Sequence, residues 1–166
     1  MLKITVNEHS SASPEEVLAV AGTDFSANRA HIWPNVTTRK LEVHERGETY
    51  VDVTEGGTSI ARYFWERSRY DWSEPGTVKA TVIDSNALAA GSTFELRLAP
   101  GQGGGCDVEM TLRRDFKRNA AGRIASALNH FGGERLFGSM LRRTLKAVER
   151  ASACTAQSDT AKAAAA

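Results

Sequence analysis

Apolar and polar positions alternate at the start of the chain. Leu2, Ile4 and Val6 fall on one side, with Lys3, Thr5 and Asn7 on the other, which is the period of a half-buried strand at the edge or closure of a sheet. Ser13-Pro14-Glu15-Glu16 then gives an N-cap serine, proline at the first helical position and acids in the first turn. A short helix follows through Val17, Leu18 and Val20, stopped by Gly22 and Thr23-Asp24, and a second from about Phe25 to His31 is ended by Pro34. From Val36 to Phe116 the pattern becomes strands joined by short polar links. Turns are expected at Arg46-Gly47-Glu48, Glu55-Gly56-Gly57-Thr58, Glu74-Pro75-Gly76, Asn86 to Gly91 and Pro100 to Gly105. Six strands in succession imply an antiparallel meander.

After Asn119 the period turns helical. Ile124, Leu128, Phe131, Leu141, Leu145 and Val148 recur near i, i+3, i+4 spacing, predicting one amphipathic helix of about 30 residues, roughly 45 Å long. Gly132, Gly133 and Gly138 interrupt it, which means close approach, a kink or room left for something else. Residues 1–150 read as one domain and 151–166 as a disordered Ala-rich tail.

The run from Ile60 to Trp72 is the hardest to orient. Tyr63 and Trp65 share one face with Arg67, Arg69 and Asp71, while Phe64 shares the other with Glu66, Ser68, Tyr70 and Trp72, so neither is cleanly apolar. A bulge midway would reconcile the two. Were Arg62, Glu66 and Tyr70 to point inward, they would be polar groups of an interior site, with a buried Glu66 raised in pKa and suited to proton transfer; otherwise they are surface charges on the convex side.

Composition narrows the function classes. Cys106 and Cys154 lie far apart without CxxC or Cys/His spacing, which predicts neither a disulfide framework nor a metal site, and nothing implies a cofactor. The glycines of 101–105 sit between strands, so they predict a hairpin turn and not a phosphate-binding loop. Met1 to His9 lacks the basic and apolar regions of a signal peptide, and no stretch approaches about 18 apolar residues, so a cytoplasmic protein with no membrane span is expected. The net charge of +1 is unevenly spread, with ten Lys or Arg against three Asp or Glu between Arg113 and Arg150. That stripe could attract an acidic partner or form the solvated face of a helix; the absence of interleaved aromatic residues argues against nucleic acid. Whether two chains pair as a homodimer stays open.

A strand, two short helices, a six-stranded meander and a long terminal helix form the element order of the polyketide cyclase, START lipid-transfer and pollen-allergen superfamily. The chain resembles a bacterial member over about residues 2–150, in Ala12-Ser13-Pro14-Glu15-Glu16-Val17 opening the first helix, Trp33-Pro34 closing the second, and Tyr70-Asp71-Trp72-Ser73-Glu74-Pro75 at a reversal. The resemblance implies a helix-grip fold of the α+β class, in which a curved antiparallel sheet of about seven strands wraps the C-terminal helix around an elongated cavity for a hydrophobic molecule.

Binding or carrying a lipid, polyketide or aromatic metabolite is therefore the expected function. The wall residues expected are Phe64, Trp72, Phe94, Leu96, Val108, Met110, Leu112, Leu128 and Phe131. No nucleophile, base and orienting group stand at recognisable spacing. The alternative is a metal-free cyclase or dehydratase using acid–base groups from among Asp52, Glu66, Tyr70 and His130. The other histidines, His9, His31 and His44, fall on polar strand faces or beside a turn.

Overall fold

The structure is a computed structural model that describes residues 1–57 and 63–164, with side chains of the terminal helix described as far as Cys154. Strand β1 (Leu2–Ser10) leads into α1 (Pro14–Val17), a π-helical turn (Leu18–Gly22), α2 (Arg29–Ile32) and a 3-10 turn (Thr38–Lys40). The meander follows as β2 (Glu42–Arg46), β3 (Tyr50–Gly56), β4 (Trp65–Asp71), β5 (Thr77–Ser85), β6 (Thr93–Pro100) and β7 (Cys106–Arg114), and α3 (Ala120–Ala164) ends the chain. The seven strands form one antiparallel sheet in the order β1-β7-β6-β5-β4-β3-β2, so β1 pairs with the last strand, from Leu2 opposite Arg114 to Ser10 opposite Cys106.

Local chemistry accounts for the element ends. The Ser13 side chain accepts from the Glu16 amide while the Glu16 carboxylate accepts from the Ser13 amide at 2.7 Å, closing a capping box on α1. Helix α2 starts later than the sequence suggests, because the Asp24 carboxylate accepts from the Ser26 amide at 2.9 Å and holds that segment as a turn. Gly76, at φ 69°, and Gly104 and Gly105, at φ 93° and 72°, make the hairpin turns that the glycines predicted. Asn119 opens α3 by accepting from the Gly122 amide at 2.7 Å.

The helix is longer than the sequence suggests. Residues 151–164, expected as a disordered tail, continue it, in keeping with the helix propensity of alanine. Phe137, Leu141, Leu145 and Val148 join the core cluster that holds Ile4, Val6, Val108 and Met110. A Cβ on Gly133 would stand 2.5 Å from Ile4 Cδ1, so the glycine lets α3 come down onto β1. Further along, Glu149 accepts from the Ser10 hydroxyl at 2.9 Å and the Ser11 amide at 3.0 Å and pins the helix there.

The β4–β5 register shifts between Arg67 and Ser68 by one residue of β5, Ile83, so the bulge lies on the partner strand and β4 itself alternates unbroken: Ser68 and Tyr70 are buried with Val51 and Val53, while Arg69 and Asp71 face outward. Arg62 lies outside the described residues. At the far edge every residue of β2 is exposed. Among the described residues no helix is long and apolar enough to cross a membrane.

Candidate functional site

Alternation within the strands carries several polar side chains to the concave face. On β3, Val51, Val53 and Glu55 share a parity, and on β4 so do Glu66, Ser68 and Tyr70; the pairing sets Glu55 opposite Glu66 and Val51 opposite Tyr70. On β7, Arg114 follows Val108, Met110 and Leu112 on the same side.

The first polar group is a saturated cluster. Arg29, on α2, lies 3% exposed with its guanidinium 4.0 Å above the Phe25 ring. Its Nε donates to Glu55 Oε1 and its Nη1 to the Ala21 and Asp24 carbonyls. The Tyr70 hydroxyl donates to the other Glu55 oxygen at 2.6 Å, and the Trp33 indole to the Ala21 carbonyl at 2.8 Å. Burial, reinforced by the Glu55 charge, holds the Tyr70 phenol well above its ordinary pKa, so Tyr70 keeps its proton. Removing either member of the Arg29–Glu55 pair would strand a buried charge, which typically costs about 3–5 kcal/mol.

The second polar group is not saturated. Glu66 and Arg114 both border the interior, yet among the described residues neither side chain has a hydrogen-bond or ion-pair partner. Burial raises the Glu66 carboxyl above the usual carboxylate range against the pull of Arg114, and Glu55 adds to the rise. Burial likewise lowers Arg114, with Glu66 and Tyr70 opposing. The Arg114 guanidinium lies 4.8 Å above the Phe137 ring. Nearby, Asn129 Nδ2 donates to the Ala125 carbonyl at 2.7 Å, leaving its buried Oδ1 without a partner.

Between these groups and α3 lies a cavity of about 240 Å³. Its walls include Trp33, Phe64, Phe94, Leu112, Phe137 and Met140, with Glu55, Glu66, Tyr70 and Arg114 as polar lining. Leu128 and Leu136 line it while being 47% and 54% exposed, which makes them its mouth. Apolar cavities of about 150 Å³ hold benzene, so this one has room for a somewhat larger molecule.

The model of the family described as polyketide cyclase / dehydrase and lipid transport matches residues 1–153. The chain belongs to this family. No curated protein matches it in sequence. Among solved structures, a protein from Thermus thermophilus is similar at a TM-score of 0.73 and 15% identity, covering 91% of this chain and 99% of that one. The Zhui aromatase/cyclase from Streptomyces sp. R1128 aligns at 0.72 and 14% identity over 90% and 94% of the two chains. A START superfamily protein from Mycobacterium smegmatis aligns at 0.63 and 12% identity over 89% and 94%. At these identities the likeness is one of fold, and that fold is the helix grip expected from the element order.

For a member of the polyketide cyclase / dehydrase and lipid transport family, the interior is unevenly legible from sequence. Of the expected wall residues, Phe64, Phe94, Leu112 and Leu128 border the cavity, as do Glu66 and Tyr70. Leu96, Val108 and Met110 are instead packed core, at 2%, 2% and 0% exposure, away from the hollow. Trp72 stacks on Phe25 at a centroid distance of 6.4 Å beyond it. Phe131 is 93% exposed, because it sits two residues, about 200° of helical turn, from the inward Asn129 and Gly133.

Two acid–base candidates fall elsewhere. Asp52 takes the opposite parity from Glu55 and is held by Arg67 through two bonds of 2.8 and 2.7 Å. His130 faces a surface groove on α3 and donates through Nδ1 to the Ser126 carbonyl at 2.9 Å. Sequence reasoning missed Arg29, Glu55, Arg114 and Asn129. For Glu55 and Arg114 the signal was present, since each continues the parity of an apolar strand face.

Proposed function

We propose that the protein binds a small, largely apolar molecule between the sheet and α3. The observation that carries this reading is the cavity itself: α3 rests on β1 and leaves about 240 Å³ unfilled, walled by aromatic and aliphatic side chains and open at Leu128 and Leu136. Membership of a family described by cyclase, dehydrase and lipid-transport activities supports it. Native mass spectrometry of the purified protein, followed by calorimetric titration with octanol- or naphthalene-sized compounds, tests it. Expected is either a co-purifying small molecule or saturable one-to-one binding; no bound mass and no binding across such a series would refute the reading.

A second reading is acid–base catalysis on the bound molecule, favoured by one observation. Glu66 and Tyr70, both holding their protons above the ordinary pH range of their groups, face the same enclosed space. Proton donation from Glu66 to a departing hydroxyl is the chemistry this arrangement suits. Conversion of a bound compound by the wild type, lost in Glu66→Gln with binding retained, would select this reading over simple carriage.

A further inference from the structure

Among the described residues two arginine and two glutamate side chains border the cavity, and they are not equally matched. Arg29 and Glu55 neutralise one another, and the remaining capacity of that pair goes to the Ala21 and Asp24 carbonyls and the Tyr70 hydroxyl. Arg114 has no such set among the described residues. No nitrogen of Arg114 approaches a Glu66 oxygen within ion-pair distance, and no other described group bonds to it. A guanidinium has five N–H donors and keeps its proton in proteins, so a half-buried one without a protein partner on a cavity wall favours an anionic guest. The Arg114 guanidinium lies over the Phe137 ring and borders the cavity.

We propose that the natural ligand is an apolar carboxylic acid whose carboxylate is clasped by Arg114. This rests on the reading of the cavity as a ligand site, and adds the chemical class of what enters. The Arg114 guanidinium itself carries one positive charge, which a carboxylate matches. The fork of a guanidinium also fits two carboxylate oxygens at once. Glu66, held towards its neutral form by burial, opposes such a guest less than an ordinary glutamate would. The remaining walls, Phe94, Leu112, Leu128 and Met140 among them, suit an aryl or acyl body.

The test compares acids with neutral partners of the same shape. Naphthoate against naphthalenemethanol, and octanoate against octanol, are titrated calorimetrically into the full chain at neutral pH. The acids are expected to bind at least about tenfold more tightly. Arg114→Met should remove that preference while leaving the alcohols within about twofold, and Arg114→Lys should restore part of it. Equal affinity for acid and alcohol in the wild type, or full acid preference in a folded Arg114→Met protein, would overturn the assignment while leaving the cavity a binding site. Failure of every compound to bind would remove both. Should Arg114→Met not fold, the acid–alcohol contrast in the wild type decides alone.

Discussion

Glu66 stands opposite Glu55 on the concave face, and burial lifts its carboxyl above the reference value of 4.5. An acid whose folded-state pKa is raised favours the fold fully only below its unfolded pKa, and that contribution is lost as pH rises through the folded value. Glu66→Gln removes the titration while keeping shape. The melting temperatures of wild type and Glu66→Gln should therefore nearly coincide at about pH 4, with the variant increasingly the more stable towards about pH 8; a gap that does not widen over that range would contradict the burial of this carboxyl. Glu66 was legible as an interior candidate because it shares parity with Phe64 and Tyr70. Glu55 and Arg114 obey the same rule beside Val53 and Leu112, but a charge ending an apolar face resembles a solvent-facing strand terminus. Only the curl of the sheet decides between the two.

At the scale of elements, the glycines of α3 separate into different roles. Gly132 faces open space, so Gly132→Ala should stabilise the protein by about 0.5–1 kcal/mol through helix propensity alone. Gly133 meets Ile4, which is 4% exposed and hemmed in by the core, so Gly133→Val should destabilise by about 1–3 kcal/mol through overpacking. Urea unfolding followed by circular dichroism measures both, and equal effects would dissolve the distinction. The caps and turns were readable in the sequence because each is local: Ser13 with Glu16, Gly76, and the glycines before Cys106. The inward face of α3 was less so. Ile124, Leu128 and Phe131 extend an apolar stripe on paper, whereas the buried line runs through Ala125, Asn129, Gly133 and Phe137, and small or polar side chains there give periodicity little to detect.

For the whole molecule, element order was enough to reach the architecture, since a meander extended beyond its last strand by its first has few ways to cover its apolar side with one long helix. Which apolar residues frame a hollow and which fill a core depends on curvature and on where α3 rests, and no alternation pattern encodes that; Phe94 and Leu96 share a strand face yet end in different surroundings. A space-filling change exploits the difference. Ala125 is 7% exposed on the cavity wall, and Ala125→Leu should weaken binding of an apolar compound at least about tenfold, with the melting temperature unchanged or raised because new apolar surface is buried without stretching the fold. Calorimetric titration beside a thermal melt checks this, and undiminished binding would place the guest elsewhere.

An open sheet has another problem to solve, and β2 answers it. Four of its five residues, Glu42, His44, Glu45 and Arg46, carry ionisable side chains, and all five are exposed. A neighbouring molecule seeking to add a strand at this margin would have to desolvate that fringe and align it against its own, so the unpaired amides and carbonyls there are guarded by charge. The molecule can leave its sheet unclosed and still resist stacking edge to edge into fibres.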